Sequence, residues 1–233
     1  MADEPLSTRI LYEDNHLIVV NKLPGELAQG DQTGDPPLSD LLKSHIAERD
    51  SKPGQVFLGV THRLDRPTSG ALLYAKTSKA LSRMNQLFRE GAVAKSYWAL
   101  TAAIPEPLEG RMEDWLFKDS GKNKSFVVSS GRKGAKRAVL NYRLMASGER
   151  YNLIEITLET GRHHQIRCQL AARGLHIRGD LKYGAKRSNP DGGISLHARL
   201  LSFEHPIGDA GRIVRCEAPP PRDALWDFFL TQI

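Results

Sequence analysis

Cysteine is scarce: the 233-residue chain has two, Cys168 and Cys216, 48 positions apart. That excludes a disulfide framework and any cysteine-built zinc knuckle, and a reducing, cytoplasmic setting fits. Long apolar runs are missing as well. The longest, residues 17–20 and 71–75, hold four or five residues, where a membrane-spanning helix needs about 20. The chain opens Met-Ala-Asp-Glu, with acids where a secretory signal requires bases. Neither secretion nor membrane insertion is expected. There is no internal repeat, low-complexity tract or obvious linker, so the expectation is a single domain over residues 1–233, long enough to bury roughly 70–75% of its unfolded surface without staples.

Net charge is also small, +6, which alone says little about partners. Its distribution says more. Residues 121–187 hold 15 Lys and Arg against four acids (Glu149, Glu155, Glu159, Asp180), net +11, leaving −5 elsewhere. Base interleaved with Phe126, Tyr142, Tyr151 and Tyr183 fits a phosphate-backbone partner, because Lys and Arg gain affinity by releasing condensed counterions. A solvated basic surface accounts for the charge equally well.

Periodicity predicts the following elements. Residues 10–22 read as two short β segments around a turn at Asp14-Asn15. Asp35-Pro36 caps a helix with Leu38, Leu41, Leu42, His45 and Ile46 at helical spacing, ending near Asp50 before Pro53. Residues 56–60 and 71–75 read as strands bracketing a polar loop, 61–70. Thr77 or Ser78 caps a helix carrying Leu81, Met84, Leu87 and Phe88, stopped by Gly91, and residues 95–101 follow as a strand. From Ser125 onward the pattern is mostly β, at 126–129, 138–145, 153–158 and 194–203, interrupted by a helix over 163–173 closed by Gly174. A last helix, 223–230, turns Trp226 and Phe229 inward. The fold class is α+β around a large, mainly antiparallel sheet.

Two constellations carry chemistry. In the loop Thr61-His62-Arg63-Leu64-Asp65-Arg66-Pro67-Thr68-Ser69-Gly70, positive neighbours keep Asp65 ionised, available as nucleophile or electrostatic stabiliser. The same residues also suit a capped turn with its arginines in solvent. In Thr160-Gly161-Arg162-His163-His164-Gln165-Ile166-Arg167, a helix would set Arg167 one turn after the histidines. Adjacent histidines on a helix point about 100° apart, and zinc needs three or four convergent ligands, so no metal site is expected. His62, His176, His197 and His205 are scattered and read as hydrogen-bonded structural histidines. In Lys95-Ser96-Tyr97-Trp98-Ala99, alternation turns Tyr97 and Trp98 to opposite faces, so one of them can line a cavity with Lys95.

His62 to Gly70 resembles the signature of RluA-type pseudouridine synthases, which isomerise uridine in structured RNA. Lys95-Ser96-Tyr97-Trp98-Ala99 resembles that family's Lys-x-Tyr-x-Ala motif, and Gly161 to Arg167 its Gly-Arg-Thr-His-Gln-Ile-Arg motif. Gly179-Asp180-Leu181-Lys182-Tyr183-Gly184 and Leu196-His197-Ala198, running on to Phe203 and His205-Pro206, follow in the family's order, so the resemblance covers residues 10–230. It implies a large, curved, mainly antiparallel mixed sheet with flanking helices and a central catalytic cleft. It further implies Asp65 as nucleophile, Tyr97 stacking on or deprotonating the base, and Arg167 pairing with Asp65. Arg63 would fill the space of a flipped-out uridine, and His62, Arg66, Lys95, Arg162, Lys133 and Lys136 would join it in binding RNA. No cofactor is implied, the partner is ribosomal RNA, transfer RNA or both, and the protein would act as a monomer without an obligate protein partner. The competing reading is a non-catalytic RNA-binding or RNA-folding protein on the same scaffold. His163 departs from the usual threonine, Asn21-Lys22-Leu23-Pro24-Gly25-Glu26-Leu27 departs from Asn-Lys-Pro-x-Gly-Leu, and the small RNA-binding module found ahead of many relatives is not expected.

Overall fold

The computed structural model describes residues 5–31, 33–51, 54–208 and 211–233. The acidic start, Met1 to Glu4, and Pro53 lie outside the described residues. In chain order the elements are α1 (Leu6–Arg9), β1 (Ile10–Glu13), β2 (Leu17–Lys22), α2 (Leu38–Arg49), β3 (Gly59–Val60), β4 (Ser69–Ala75), α3 (Ser78–Glu90), β5 (Ala94–Thr101), β6 (Glu109–Asp119), β7 (Lys124–Val128), β8 (Lys136–Ser147), β9 (Asn152–Leu158), α4 (Gln165–Ala171), a 3₁₀ turn (Leu181–Tyr183), β10 (Leu196–Glu204), β11 (Ile213–Glu217) and α5 (Ala224–Leu230). The class is α+β. The chain divides into two compact units, Met1–Ala94 with Ala198–Pro220, and Lys95–His197 with Pro221–Ile233.

In the first unit the strands run β1-β2-β4-β10, with β3 on β4 and β11 on β10. The β1–β2 turn is fixed by Asp14, whose Oδ1 accepts from the backbone N–H groups of His16 and Leu17. Every residue of β2 and β4 is buried, so their apolar runs are continuous rather than alternating, as expected of strands covered on both faces. One face packs Leu17, Val19, Leu73 and Ala75 with Met84 of α3 and Phe203 of β10. Helix α3 has the expected ends: the Thr77 hydroxyl accepts from Ala80 N, and Gly91 closes it at φ 73°, each satisfying end groups that a helix leaves unpaired.

Two sequence expectations here need correction. Helix α2 begins at Leu38, not at Asp35-Pro36, because the Asp35 carboxylate accepts from Arg66 Nη2 at 2.6 Å rather than capping the helix. Only Gly59–Val60 of residues 56–60 forms strand, where the chain reaches Ala75 and Tyr74 of β4, and Phe57 is exposed.

In the second unit the order is β5-β9-β8-β6-β7, and its pairings are antiparallel. Helix α5 starts where Asp223 accepts from Leu225 N, and Trp226 and Phe229 pack with Trp98, Leu100 and Leu153 as expected. The strand β6 had no counterpart in the sequence reading. Its outward residues are charged rather than apolar, and they form a ladder in which Arg111 pairs with Glu113 and Glu159, and Arg137 with Glu113. The helix expected over residues 163–173 is α4, Gln165–Ala171. His163 and His164 precede it, with His164 left-handed at φ 51°, so the 100° separation of helical neighbours does not apply. Their rings stack at 3.8 Å.

Candidate active site

In the first unit, strand β4 starts at the end of the Asp65 loop. Gly70, at φ 116°, meets β10 so closely that a Cβ would lie 2.3 Å from the Ala198 carbonyl oxygen. That approach and conformation are open to glycine alone. Upstream, Thr61 Oγ1 donates to Leu73 O at 2.7 Å and His62 Nε2 accepts from Leu73 N at 3.0 Å, pinning the loop's entry to β4. The His62 ring also packs on Phe88 of α3. The chain then turns through Arg66-Pro67, with Thr68 N donating to Asp65 O at 2.9 Å. Leu64 and Thr68 are buried, Asp65 is half-buried, and Arg63 and Arg66 are exposed.

Lys22 braces this turn from beneath. Its side chain is fully buried, and Nζ donates to the carbonyls of Leu23, Arg66 and Thr68 at 3.0, 2.9 and 2.7 Å. Two of these acceptors lie within three residues of Asp65. Burial pushes the ammonium down to about 7, opposed by the charges of Glu26 and Asp65. A second tie is the Arg66 guanidinium, which donates to Gly25 O at 3.0 Å and to Asp35, while Gly25 N donates to Arg66 O. The sequence reading gave Lys22 no role. Its one local signal is a lysine ending an apolar strand, and two of its three acceptors lie 44 and 46 residues further on.

In the second unit, β5 carries Lys95, half-buried, and Tyr97, buried opposite Ile156 of β9. Burial lowers the Lys95 ammonium. The motif at 161–167 crosses nearby: a side chain at Gly161 would lie 3.8 Å from Lys95 Nζ. Gln165 ties the motif's turn, accepting from Thr160 Oγ1 and Arg162 N and donating to Val139 O. Arg162 is exposed and donates to Arg137 O.

Arg167, 5% exposed, makes a two-pronged pair with Asp180, 1% exposed: Nε to Oδ2 at 2.7 Å and Nη2 to Oδ1 at 2.8 Å. The Tyr183 ring sits 5.0 Å from the same guanidinium. Asp180 and Tyr183 belong to the segment Gly179 to Gly184, whose sequence alone does not assign them to Arg167. The Tyr183 hydroxyl meets Ser125 N at 2.8 Å and His164 Nδ1 at 2.9 Å. His163, in place of the usual threonine, reaches Ser125 Oγ with Nδ1 and Asn123 Oδ1 with Nε2, joining the β6–β7 turn to the start of α4. Lys133 and Lys136 form a separate group, both exposed, in the β7–β8 connection and at the start of β8.

The structure thus gathers His62, Arg63, Asp65 and Arg66 on one braced loop, and Lys95, Tyr97, Arg162 and Arg167 within the other unit. A half-buried aspartate on a loop whose backbone is fixed suits attack on, or proton removal from, a bound reactant.

The sequence pattern of the RNA pseudouridylate synthase family matches residues 16–172. A Bacillus subtilis (strain 168) protein named "Uncharacterized RNA pseudouridine synthase YlyB" is 34% identical over 224 residues, covering 94% of this chain and 71% of the relative. The "Ribosomal large subunit pseudouridine synthase D" of Zymomonas mobilis is 36% identical over 234 residues, covering 95% and 71%. Among solved structures, "Human RNA Pseudouridylate Synthase Domain Containing 4" superposes with a TM-score of 0.78 at 25% identity, covering 96% of this chain and 93% of that one. Because the family pattern runs from the β1–β2 turn to the end of α4 and the relatives match nearly the whole chain, the chain belongs to the RNA pseudouridylate synthases and is an isomerase acting on RNA.

Proposed function

We propose that this enzyme isomerises uridines of structured ribosomal RNA, transfer RNA or both, with Asp65 as the nucleophile. The observation that carries the reading is the bracing of the Asp65 turn by a buried ammonium that bonds the Arg66 and Thr68 carbonyls. A relative named for the ribosomal large subunit supports ribosomal RNA as substrate.

Isomerisation breaks the bond between ribose C1′ and uracil N1 and forms one between C1′ and C5; C5 releases a proton and N1 gains one. No oxidant, reductant or second substrate enters. Asp65 attacks the ribose or the pyrimidine, or abstracts a ribose proton, and each route needs an ionised carboxylate held still. Tyr97 stacks on or deprotonates the base, and Arg167 supplies positive charge to Asp65, with Asp180 orienting the guanidinium. The target must leave its stem, at a cost of roughly a few kcal/mol, and Arg63 fills the vacated space. Lys95, Arg162, Lys133 and Lys136 bind phosphates, while His62 and Arg66 serve RNA binding by shaping the loop that presents Arg63.

In this reading the two units form one catalytic domain, which acts as a cytoplasmic monomer. Among the described residues no helix is long and apolar enough to cross a membrane. The test is pseudouridine mapping of total RNA from a strain lacking the protein against its parent. Loss of one or a few sites is expected and names the RNA; an unchanged map would refute the activity.

A further inference from the structure

The three bonds of Lys22 place a requirement on its charge. An ammonium has three N–H donors, and all three are taken by carbonyl oxygens at 2.7 to 3.0 Å. A neutral amine has two donors and a lone pair, so on losing its proton Lys22 must turn a lone pair toward one of these oxygens. Two of the three acceptors, the Arg66 and Thr68 carbonyls, lie one and three residues after Asp65, and the Asp65 carbonyl closes the same turn by accepting from Thr68 N. Deprotonation therefore loosens the segment that carries the nucleophile.

Among the described residues, charges of both signs act on Lys22. Glu26 and Asp65 favour its proton, and Arg66 and Arg9 oppose it. Of these, Glu26 is the one built in beside it: Oε2 accepts from Leu23 N at 2.8 Å, and Arg9, 5% exposed, donates to both carboxylate oxygens at 2.9 Å. It stands in the segment where this chain departs from the usual Asn-Lys-Pro-x-Gly-Leu. Burial alone drives Lys22 toward neutrality.

We propose that Lys22 is a positioning residue for Asp65 and that Glu26 sets the pH at which its hold is released. Below the titration of Lys22 the turn is fixed; above it, the turn and the activity loosen together. The inference rests on Asp65 being the nucleophile, but the state of the turn can be read without catalysis. Global stability moves the other way. A lysine that loses its proton near 7 in the folded protein and near 10.5 unfolded makes folding more favourable as pH rises between those values. Titration of Lys22 therefore gives no cause for global unfolding in that window, and thermal unfolding at each pH checks the contribution of the buried Cys168 and Cys216 thiols, pushed up to about 11, which oppose folding above about pH 9.

The experiment compares wild type, Glu26→Gln and Lys22→Met from pH 6 to 10 with two readouts. One is kcat and KM for tritium release from [5-³H]uridine-labelled total RNA of a strain lacking the protein. The other is hydrogen–deuterium exchange of peptides covering residues 64–70 without RNA, corrected for intrinsic exchange, so that uracil ionisation cannot contribute. Glu26→Gln should move the alkaline limb of kcat and the onset of fast exchange down together by about one pH unit, with KM changing less than twofold. Lys22→Met should exchange fast at every pH. The inference is overturned if exchange in residues 64–70 ignores pH in the wild type, or if Glu26→Gln moves neither profile. If Glu26→Gln does not fold, the wild-type series and Lys22→Met decide. Should Asp65→Asn retain activity, the catalytic reading falls, and the exchange data still judge the hold of Lys22 on the turn.

Discussion

Removing the Asp180 carboxylate should expose how much of the second unit depends on one ion pair. Arg167 and Asp180 are 5% and 1% exposed and meet through two bonds at 2.7 and 2.8 Å. The Asp180 backbone is engaged separately, its carbonyl accepting from Tyr183 N and Ala185 N, so Asp180→Ala reports on the side chain. It takes both bonds of this pair from a guanidinium buried against Tyr183, which costs about 3–5 kcal/mol. For a chain of this size that is roughly 6–20 °C in Tm. Urea unfolding followed by the fluorescence of Trp98, Trp115 and Trp226 measures it, with an unchanged slope confirming that the denatured state is not the cause. The double variant Arg167→Met/Asp180→Leu removes both charges and should recover most of the loss, since a buried pair replaced by apolar groups is often neutral. It should remain inactive, because Arg167 is proposed to serve catalysis as well as the fold. A loss below about 1 kcal/mol for Asp180→Ala, or a double variant no more stable than the single one, would refute the reasoning.

Two further outcomes follow from the geometry. Gly70→Ala should destabilise by about 3 kcal/mol or more, since its Cβ meets backbone at 2.3 Å at a φ of 116°. Gly25→Ala, at φ 88° with open space around it, should cost about 1 kcal/mol; equal losses in urea unfolding would contradict the assigned clash. Lys133→Ala and Lys136→Ala should each weaken RNA binding and reduce the slope of log K against log salt by about 1. Filter binding at several salt concentrations checks this, and an unchanged slope would remove them from the interface.

What could be read from the sequence was local. Helix α3 was legible because Thr77 and Gly91 mark its ends and Met84 sits on its inner face, and α5 because Asp223 precedes an apolar pair one turn apart. Strand β6 was not, because Glu109, Arg111, Glu113 and Lys118 point outward in a strand whose partners, not its own apolar pattern, stabilise it. The motif at 161–167 was recognised, but its histidines were placed inside a helix that starts at Gln165; the left-handed His164 depends on Tyr183 and on the turn that Gln165 holds. For the site, chemical type was visible and the brace was not. Asp65 stood out among arginines, whereas Lys22 and Asp180 acquire their parts from groups 44 and 13 residues away.

The central claim is that Asp65 makes pseudouridine. Purified wild-type protein and Asp65→Asn are each incubated with RNA from a strain lacking the protein, and pseudouridine is mapped by position alongside RNA binding at fixed salt. The account predicts that the wild type restores the missing site, while Asp65→Asn folds, binds the RNA and forms none. Pseudouridine at that site with Asp65→Asn would contradict it.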